Sequence, residues 1–524
     1  GATQQKSSPN QLTHDLQSFY SAFFAEEVST RFIFPSSAGA NPAVFQRKQV
    51  CPTCGTLHQA SQTECSHCED QPLLAVDIAS NLREGTRNGA KYTKSHHDCP
   101  FCAGYKTLTI VGSQAASLAA VMVGQLFATR FNPDKKLIAF SDSVQDAAHR
   151  AGFLAARTWR MNLRAALAQV IADAYAAGRP VTLENLPTVF AQRWRTALGD
   201  GHYIANFLPP QMQWLRDYES LMEEGALPES SNLPGELARV LPWVLNAEFG
   251  QDAHIGRTLV ATGTACVVPL AGKLDEAAQW LLPRLRDTLE PLAAAQLDEV
   301  VVLLRGLLEN MQRIGAWRDQ ELGFYARMGS SPWGYKKNPS QFKLLTSPRP
   351  PRFLTLAEFG RCVSITKSHA RLFSDWAFKA LPDLHDLALG TDALIAPLYR
   401  LALEALESVG LAGFEEATEK PDIRVWGLEP SAFHVILGGK VWRCASCHST
   451  TLSGPEDDFS EQACRRGDCG GEGEGLELAG GGYRERAGTA ACRRVVAHEH
   501  TGLLPRETRE AVERNFKSNS DRPG

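Results

Sequence analysis

The 524-residue chain has no apolar run approaching the roughly 18–20 residues that a membrane-spanning helix requires, and its opening stretch, GATQQKSSPNQLTHD, contains no signal-peptide core. A cytoplasmic protein with no membrane partner is the expectation. Excess charge of one sign is also missing. Lys and Arg number 54 against 58 Asp and Glu, and the net charge of -4 excludes a protein that coats nucleic acid by bulk charge. Any phosphate binding must come from local patches. The phosphate-cradling string GxxxxGK[ST] is absent; LAGKLD and LGGKVW, the nearest approaches, lack its first glycine and its hydroxyl residue. No HExxH occurs, and the cysteine pairs read Cys-Pro where zinc deaminases need Pro-Cys, which argues against a zinc hydrolase or deaminase.

What remains is a globular composition, 44% apolar and 21% charged, with length enough for about three or four domains. Thirteen cysteines stand out, ten of them in close pairs. In a chain without a secretory signal such pairs point to metal ligands rather than disulfides. Cys51, Cys54, Cys65 and Cys68 form CPTC and CSHC knuckles separated by ten residues, a pattern that offers four thiolates to one tetrahedral zinc ion. Cys444, Cys447, Cys464 and Cys469 repeat the theme with a looser second knuckle, CRRGDC. Cys99 and Cys102, in CPFC, have His96 and His97 just upstream; they either build a mixed site or compete for the metal of the first ribbon. Four protein ligands close the coordination sphere, so these zinc sites are expected to be structural. Cys266, Cys362 and Cys492 are single and are expected as small buried hydrophobes.

Periodicity divides the chain further. Residues 1–48 read as a helical lead-in and linker, and 49–104 as a zinc-binding segment too poor in apolar periodicity to fold without a staple. Residues 105–175 open an α/β region. Thr107 to Val111 and Lys135 to Phe140 have strand character, and SDSVQDAAHRAGFLAARTWRMNLRAALAQVIADAYAAG is one long helical tract. Residues 176–390 are mainly helical, with Leu297, Val301, Leu304, Leu308, Met311 and Ile314 predicted to form one packed face. In 391–440 a helix precedes a short β-rich arm around Trp426, compatible with a winged-helix module; 441–482 holds the second ribbon and a Gly-rich linker, and 483–524 returns to strand and helix. The fold class expected is α/β with a mainly α insertion: a partial parallel sheet, a helical bundle and small zinc ribbons.

Two segments carry chemistry of another kind. In KLIAFSDSVQDAAHRAGF, Ser141, Asp142 and Ser143 form a turn between strand and helix, where free N–H groups and the helix dipole favour an anion; the alternative is that they simply cap the helix. Between Arg327 and Arg371 lie nine basic residues and one acid, Glu358, a local charge of +8. Trp333, Tyr335, Phe342, Phe353 and Phe359 are interleaved with Lys336, Lys337 and Lys343, as suits bases stacking on rings while cations hold phosphates. The alternative is a Pro-rich loop anchored by its aromatics.

The string Leu137 to Ala147, LIAFSDSVQDA, resembles motif IV of superfamily-two DEAD/DEAH-box helicases, in the cysteine-rich, zinc-binding subgroup whose second RecA-like domain opens with such a strand and helix. His498 to Lys517 is similar to the next element of that domain, a strand ending in a His-x-Gly turn followed by a helix rich in Arg and Glu. The resemblance covers about 60 residues directly, so the intervening 330 or so would be an insertion. It implies an ATP-dependent DNA helicase or translocase, with RNA an alternative substrate. Ser141, Asp142, Ser143, Gln145, His500, Thr501 and Gly502 would lie near the nucleic-acid backbone, flanked by Arg506 and Arg509, unless those arginines serve only to pair with Glu510 and Glu513. ATP and Mg would belong to the complete motor, since neither a P-loop, a DEAD/DEAH box nor an arginine finger is present. The start at Gly1 without Met and the stop after an amphipathic helix suggest a piece of a longer chain, whose first RecA-like domain would be its partner. The alternative is a non-enzymatic zinc-ribbon scaffold that binds nucleic acid or protein in a repair or defence complex.

Overall fold

The computed structural model describes residues 21–36, 45–68, 71–87, 90–98, 144–213, 216–250, 258–318, 352–360, 362–366, 370–384, 392–417, 420–445, 450–454, 463–464, 469–476 and 504–517, with Ser18, Pro100, Leu108, Met122, Val123, Leu126, Lys136, Ile138, Cys492, Val495 and His500 singly. It divides into two compact units. One gathers residues 1–110, 442–451 and 458–476; the other 111–441, 452–457 and 477–524.

The first unit is built on an antiparallel sheet of β1 (Ile33–Pro35), β2 (Phe45–Val50), β3 (Leu57–Gln59) and β4 (Leu74–Ala79), in the order β1-β4-β2-β3. Strand β1 and the start of β2 therefore occupy part of 1–48 beyond Phe32, the part expected as an irregular linker. Helix is described there only at Ser18 and Ser21–Phe24. Arg47 and Asp77 stand opposite each other in the β2–β4 register and pair through two bonds, Nε to Oδ1 at 2.7 Å and Nη2 to Oδ2 at 3.2 Å, with the Asp77 side chain 3% exposed. The apolar core of this sheet is Phe45 and Ala79 with Phe32 and Phe34 laid against them. So small a core cannot offset the entropy of ordering its strands, which is where the cysteines enter. Beyond it, β5 (Leu82–Arg87) and β6 (Ala90–Ser95) pair only with each other, as a hairpin.

The second unit has Met122, Val123 and Leu126 in helical conformation and then α1 (Val144–Ala176), 33 residues and about 50 Å long. It ends at Gly178, whose φ of +65° lets the Arg179 N–H reach the Ala174 carbonyl at 3.0 Å. After β7 (Val181–Thr182) come α2 (Leu186–Leu198), α3 (Asp200–Phe207), α4 (Arg216–Glu224) and α5 (Leu233–Asn246). Then follow β8 (Ala265–Pro269), α6 (Lys273–Thr288), α7 (Leu297–Arg313), β9 (Leu354–Thr355), β10 (Val363–Ser364), α8 (Ala370–Ala380), α9 (Asp392–Ser408), β11 (Ala412–Ala417), β12 (Lys420–Leu428) and β13 (Phe433–Leu437). Last is α10 (Arg506–Lys517).

One core runs through the elements from α1 to β13, while α10 has no buried residue. Leu163, Leu167 and Ile171 of α1 share it with Leu304, Tyr399 and Trp426, so the boundaries expected at 175/176 and 390/391 are not packing boundaries. The helix-and-hairpin of 391–440 is present as α9, β11 and β12, but β12 also pairs with β9, and β13 is the middle strand of a sheet with β7 and β8. That stretch is woven into the unit rather than standing as a winged helix. The fold is mixed α/β with several small sheets; β9–β10 is the one parallel strand pair among the described residues, and a RecA-like parallel sheet is not among them. The strands expected at 107–111, 135–140 and 493–500 fall almost wholly outside the described residues.

The predicted face of α7 is there, displaced. Leu304, Leu308, Met311 and Ile314 are buried, joined by Val300, Leu303 and Leu307, while Leu297 is 39% exposed. The helix packs against both α6 and α8, so it buries a wider arc than a single stripe. Gly306 is the close-approach point. A Cβ there would sit 2.2 Å from the Trp376 indole, whose Nε1 donates to the Leu303 carbonyl at 3.2 Å. A second such device is the glycine pair Gly413 and Gly427, opposite each other on β11 and β12, over which the Arg318 side chain lies on its way to Glu429.

A buried charge cluster joins α1 to the segment after α5. Glu248 is fully enclosed; its Oε2 lies 2.8 Å from Arg164 Nε and accepts the Leu259 N–H at 3.1 Å, and its Oε1 lies 3.5 Å from Arg160 Nη1. Burial drives the Arg160 guanidinium down to about 10, against the pull of Glu248.

Candidate zinc centres and motif residues

Cys51 closes β2, and the chain turns at once. Gly55, at φ +73°, allows its N–H to bond the Cys51 carbonyl at 2.8 Å and the Cys51 N–H to bond the Thr56 carbonyl at 3.0 Å, which folds CPTC back onto β3. Cys65 and Cys68 come up on the following turn, where the His67 N–H points at Cys65 Sγ from 3.4 Å. All four sulfurs lie within 4.8 Å of one another, with Cys54 and Cys65 at 3.5 Å. A tetrahedron with arms of about 2.3 Å has edges of about 3.8 Å, so the four sulfurs need close only slightly to hold zinc. The donor set fits a closed structural site.

The thiols of this cluster are not equivalent. Hydrogen bonding from the Thr56 hydroxyl, with Oγ1 3.2 Å from the sulfur, holds Cys54 down to about 6, and the Cys54 backbone N–H lowers Cys51. Burial raises Cys65, and a hydrogen bond to the Cys54 sulfur pushes Cys68 up to about 12. Cys54 is thus poised as a thiolate, Cys51 is biased the same way, and Cys68 at least must surrender a proton when metal enters. Because the metal-free form binds more protons, acid favours metal release. Zinc affinity is expected to fall by on the order of 10-fold or more per pH unit as pH drops from 8 to 6.5, since at least the Cys68 proton is exchanged. Competition against a chromophoric chelator at several pH values measures this, and a pH-independent affinity would refute it.

The second centre lies on a sheet of β14 (Lys440–Cys444), β15 (Thr450–Ser453) and β16 (Gly473–Leu476), ordered β15-β14-β16. Cys444, Cys464 and Cys469 are buried and lie within 4.8 Å of one another, with Cys444 and Cys469 sulfurs 3.6 Å apart. Backbone bonds set this geometry: the Cys464 N–H donates to the Gly471 carbonyl at 2.8 Å, the Ala445 N–H to the Glu472 carbonyl at 2.9 Å, and the Gly471 N–H to Cys469 Sγ at 3.4 Å. This group too can hold zinc. Its expected fourth ligand, Cys447, lies outside the described residues, as do Cys99 and Cys102. Upstream of that last pair, the His97 ring stacks on Phe23 at 4.2 Å in a buried position, and His96 Nδ1 lies 3.4 Å from Asp98. Burial depresses the His96 pKa, with Asp98 opposing.

Of the three unpaired cysteines, Cys266 is buried and contacts the Gly438 carbonyl at 3.2 Å. Burial pushes the Cys362 thiol up to about 11 and Cys492 up to about 12, and both pack against the core. All three behave as apolar groups.

The motif residues are only partly within view. Ser141, Asp142, Ser143, Thr501 and Gly502 lie outside the described residues, and Gln145 is placed only as backbone in the first turn of α1. His500 Nε2 lies 3.0 Å from Glu513, and Arg506 Nε 2.7 Å from Glu510 one turn along α10, so Arg506 makes the intrahelical pairing. Arg509 is half-buried. Lys136, from the first motif segment, reaches within 5.8 Å of the Phe516 ring of α10, 380 positions later.

Trp333, Lys336, Lys337 and Lys343 lie outside the described residues, but the ends of their segment are fixed. The Arg318 N–H bonds the Leu428 carbonyl at 2.8 Å and the Arg352 N–H the Ile314 carbonyl at 3.1 Å. Phe353 is 1% exposed and Phe359 packs on the same core. Phe353 anchors the loop and is too deeply buried to stack a base, and Phe359, half-buried, leans on the same core. Sequence reasoning missed Thr56, the Glu248 cluster and the β5–β6 hairpin; of these only the hairpin had a local signal, the Asn88-Gly89 pair between alternating residues.

No protein-family model, curated protein or solved structure matches this chain.

Proposed function

We propose that the chain forms the nucleic-acid-gripping part of an ATP-driven DNA helicase or translocase: the opening and closing elements of a second RecA-like domain, separated by a helical insertion and accompanied by zinc-stapled accessory ribbons. The observation that carries this reading is the contact of Lys136 with Phe516. It sets one residue from the start of the first segment beside the helix that closes the second, which supports reading them as parts of one interrupted domain. Zinc has a structural part in this scheme. ATP and Mg would be held by a nucleotide-binding half supplied elsewhere, because this sequence contains no phosphate cradle.

The second reading is a zinc-ribbon scaffold without motor activity. It draws on the grouping of both cysteine clusters in one compact unit. The two separate on one assay. A protein joining this chain to a P-loop domain is expected to displace a DNA strand only with ATP; ATP-independent binding with no displacement would leave the scaffold.

A further inference from the structure

The β5–β6 hairpin has no apolar face. Leu82, Arg83, Glu84 and every residue from Ala90 to Lys94 are exposed, and only Ser95, at its base, is buried. Such a ribbon does not hold itself together in water. It is held from below: the Ser95 N–H bonds the Glu26 carbonyl at 2.9 Å, the His96 N–H the Asn81 carbonyl at 2.8 Å, the buried Asn81 amide the Thr30 carbonyl at 3.1 Å, and Arg83 pairs with Asp98 at 2.7 Å. The result is an arm of about 20 Å anchored at one end.

Its charges are arranged against its own stability. Residues 82–95 contain Arg83, Arg87, Lys91 and Lys94 against Glu84, a charge of +3 in a chain of -4. Arg83 and Lys94 face each other in register, a like-charge pairing that weakens a hairpin. Lys91 and Lys94 have no ion-pair partner among the described residues. Tyr92, 43% exposed, sits opposite Gly85, which has no side chain to lay over its ring. Alternation puts Tyr92, Lys94 and Arg83 on one face and Lys91 on the other. An uncovered ring with a cation two residues along the same face is the pairing that captures an unstacked base and its phosphate.

We propose that this hairpin is a binding ribbon for single-stranded nucleic acid, with a base stacked on Tyr92 and the adjoining phosphate held by Lys94. The proposal rests on the nucleic-acid part of the functional reading and is independent of ATP. A single strand is favoured over a duplex because a duplex keeps its base faces stacked and unavailable to Tyr92.

The test is fluorescence anisotropy of the zinc-loaded full chain with a labelled oligothymidylate about 15 nucleotides long, across a salt series. Tyr92→Ala and Lys94→Glu are each expected to weaken binding on the order of 10-fold, Lys94→Glu also flattening the log–log salt slope by about 0.7. Lys91→Glu, on the other face, is expected to change affinity less than about 3-fold. All three positions are on the surface, and unchanged zinc content and near-UV circular dichroism verify the fold. Wild-type binding that Tyr92→Ala and Lys94→Glu leave intact would overturn the ribbon alone. Equal losses from Lys91→Glu and Lys94→Glu with none from Tyr92→Ala, or a duplex preference indifferent to Tyr92, would also overturn it. Absence of any wild-type binding would overturn the ribbon together with the nucleic-acid reading.

Discussion

Stripping zinc from the chain is expected to unfold the ribbon carrying Cys51, Cys54, Cys65 and Cys68 while the helical unit stays intact. The described apolar cluster of the sheet around that centre is Phe45 and Ala79 with two flanking phenylalanines, whereas the helical unit packs along a continuous core from Leu163 to Val435. A structural zinc supplies on the order of 10–16 kcal/mol of folding free energy near neutral pH, far more than four apolar side chains provide. Replacing Cys51 and Cys54 with serine should therefore remove one equivalent of bound metal and open the stretch from Phe45 to Ala79 to proteolysis. Elemental analysis and limited digestion read both effects. A metal-free ribbon that resists protease would show that the strands hold without the ion, and the closed-site assignment would fall with it.

The second large effect is expected at Glu248. Truncation to alanine leaves Arg160, with its side chain 8% exposed, enclosed without its carboxylate, removes the same carboxylate from beside Arg164, and deprives the Leu259 N–H of its acceptor. Breaking a buried ion pair from one side costs about 3–5 kcal/mol, because the remaining charge is stranded in a medium that solvates it poorly. A fall in Tm of the helical unit on the order of 10 °C follows, measurable by calorimetry on the zinc-loaded chain. Glu248→Gln keeps an acceptor for Leu259 and should fall between. A loss below about 1 kcal/mol would mean that the arginines reach water once released, and the cluster would then contribute little to joining α1 to the segment beyond α5.

These two predictions differ in how visible their origins are in the sequence. The cysteine knuckles are legible because their geometry is local: two residues between ligands and a turn glycine suffice to bring sulfurs together. The helical character of α1 and α7 is legible for the same reason, since periodicity reports a face before any partner is known. Even so, the exposed Leu297 and the buried Val300, Leu303 and Leu307 show that the partners, α6 and α8, decide how wide that face is. Phe353 illustrates the converse. Its place in a run of cations suggests a stacking platform, and its burial against the core makes it an anchor.

By itself, then, the amino-acid order determined the cysteine groupings that can hold zinc, the helical bulk of the second unit and the absence of a phosphate cradle, all of which depend on spacings of a few residues. Tertiary structure alone decided that Glu248 meets two arginines more than 80 positions away, that Gly306 must stay bare beneath Trp376, and that β13 is the middle strand between β7 and β8. It also decided that β5 and β6 pair with each other alone and leave Tyr92 43% exposed. Each of these is a long-range contact or the lack of one, and burial, which sets the energetic weight of a charge or a ring, exists only after the chain has folded.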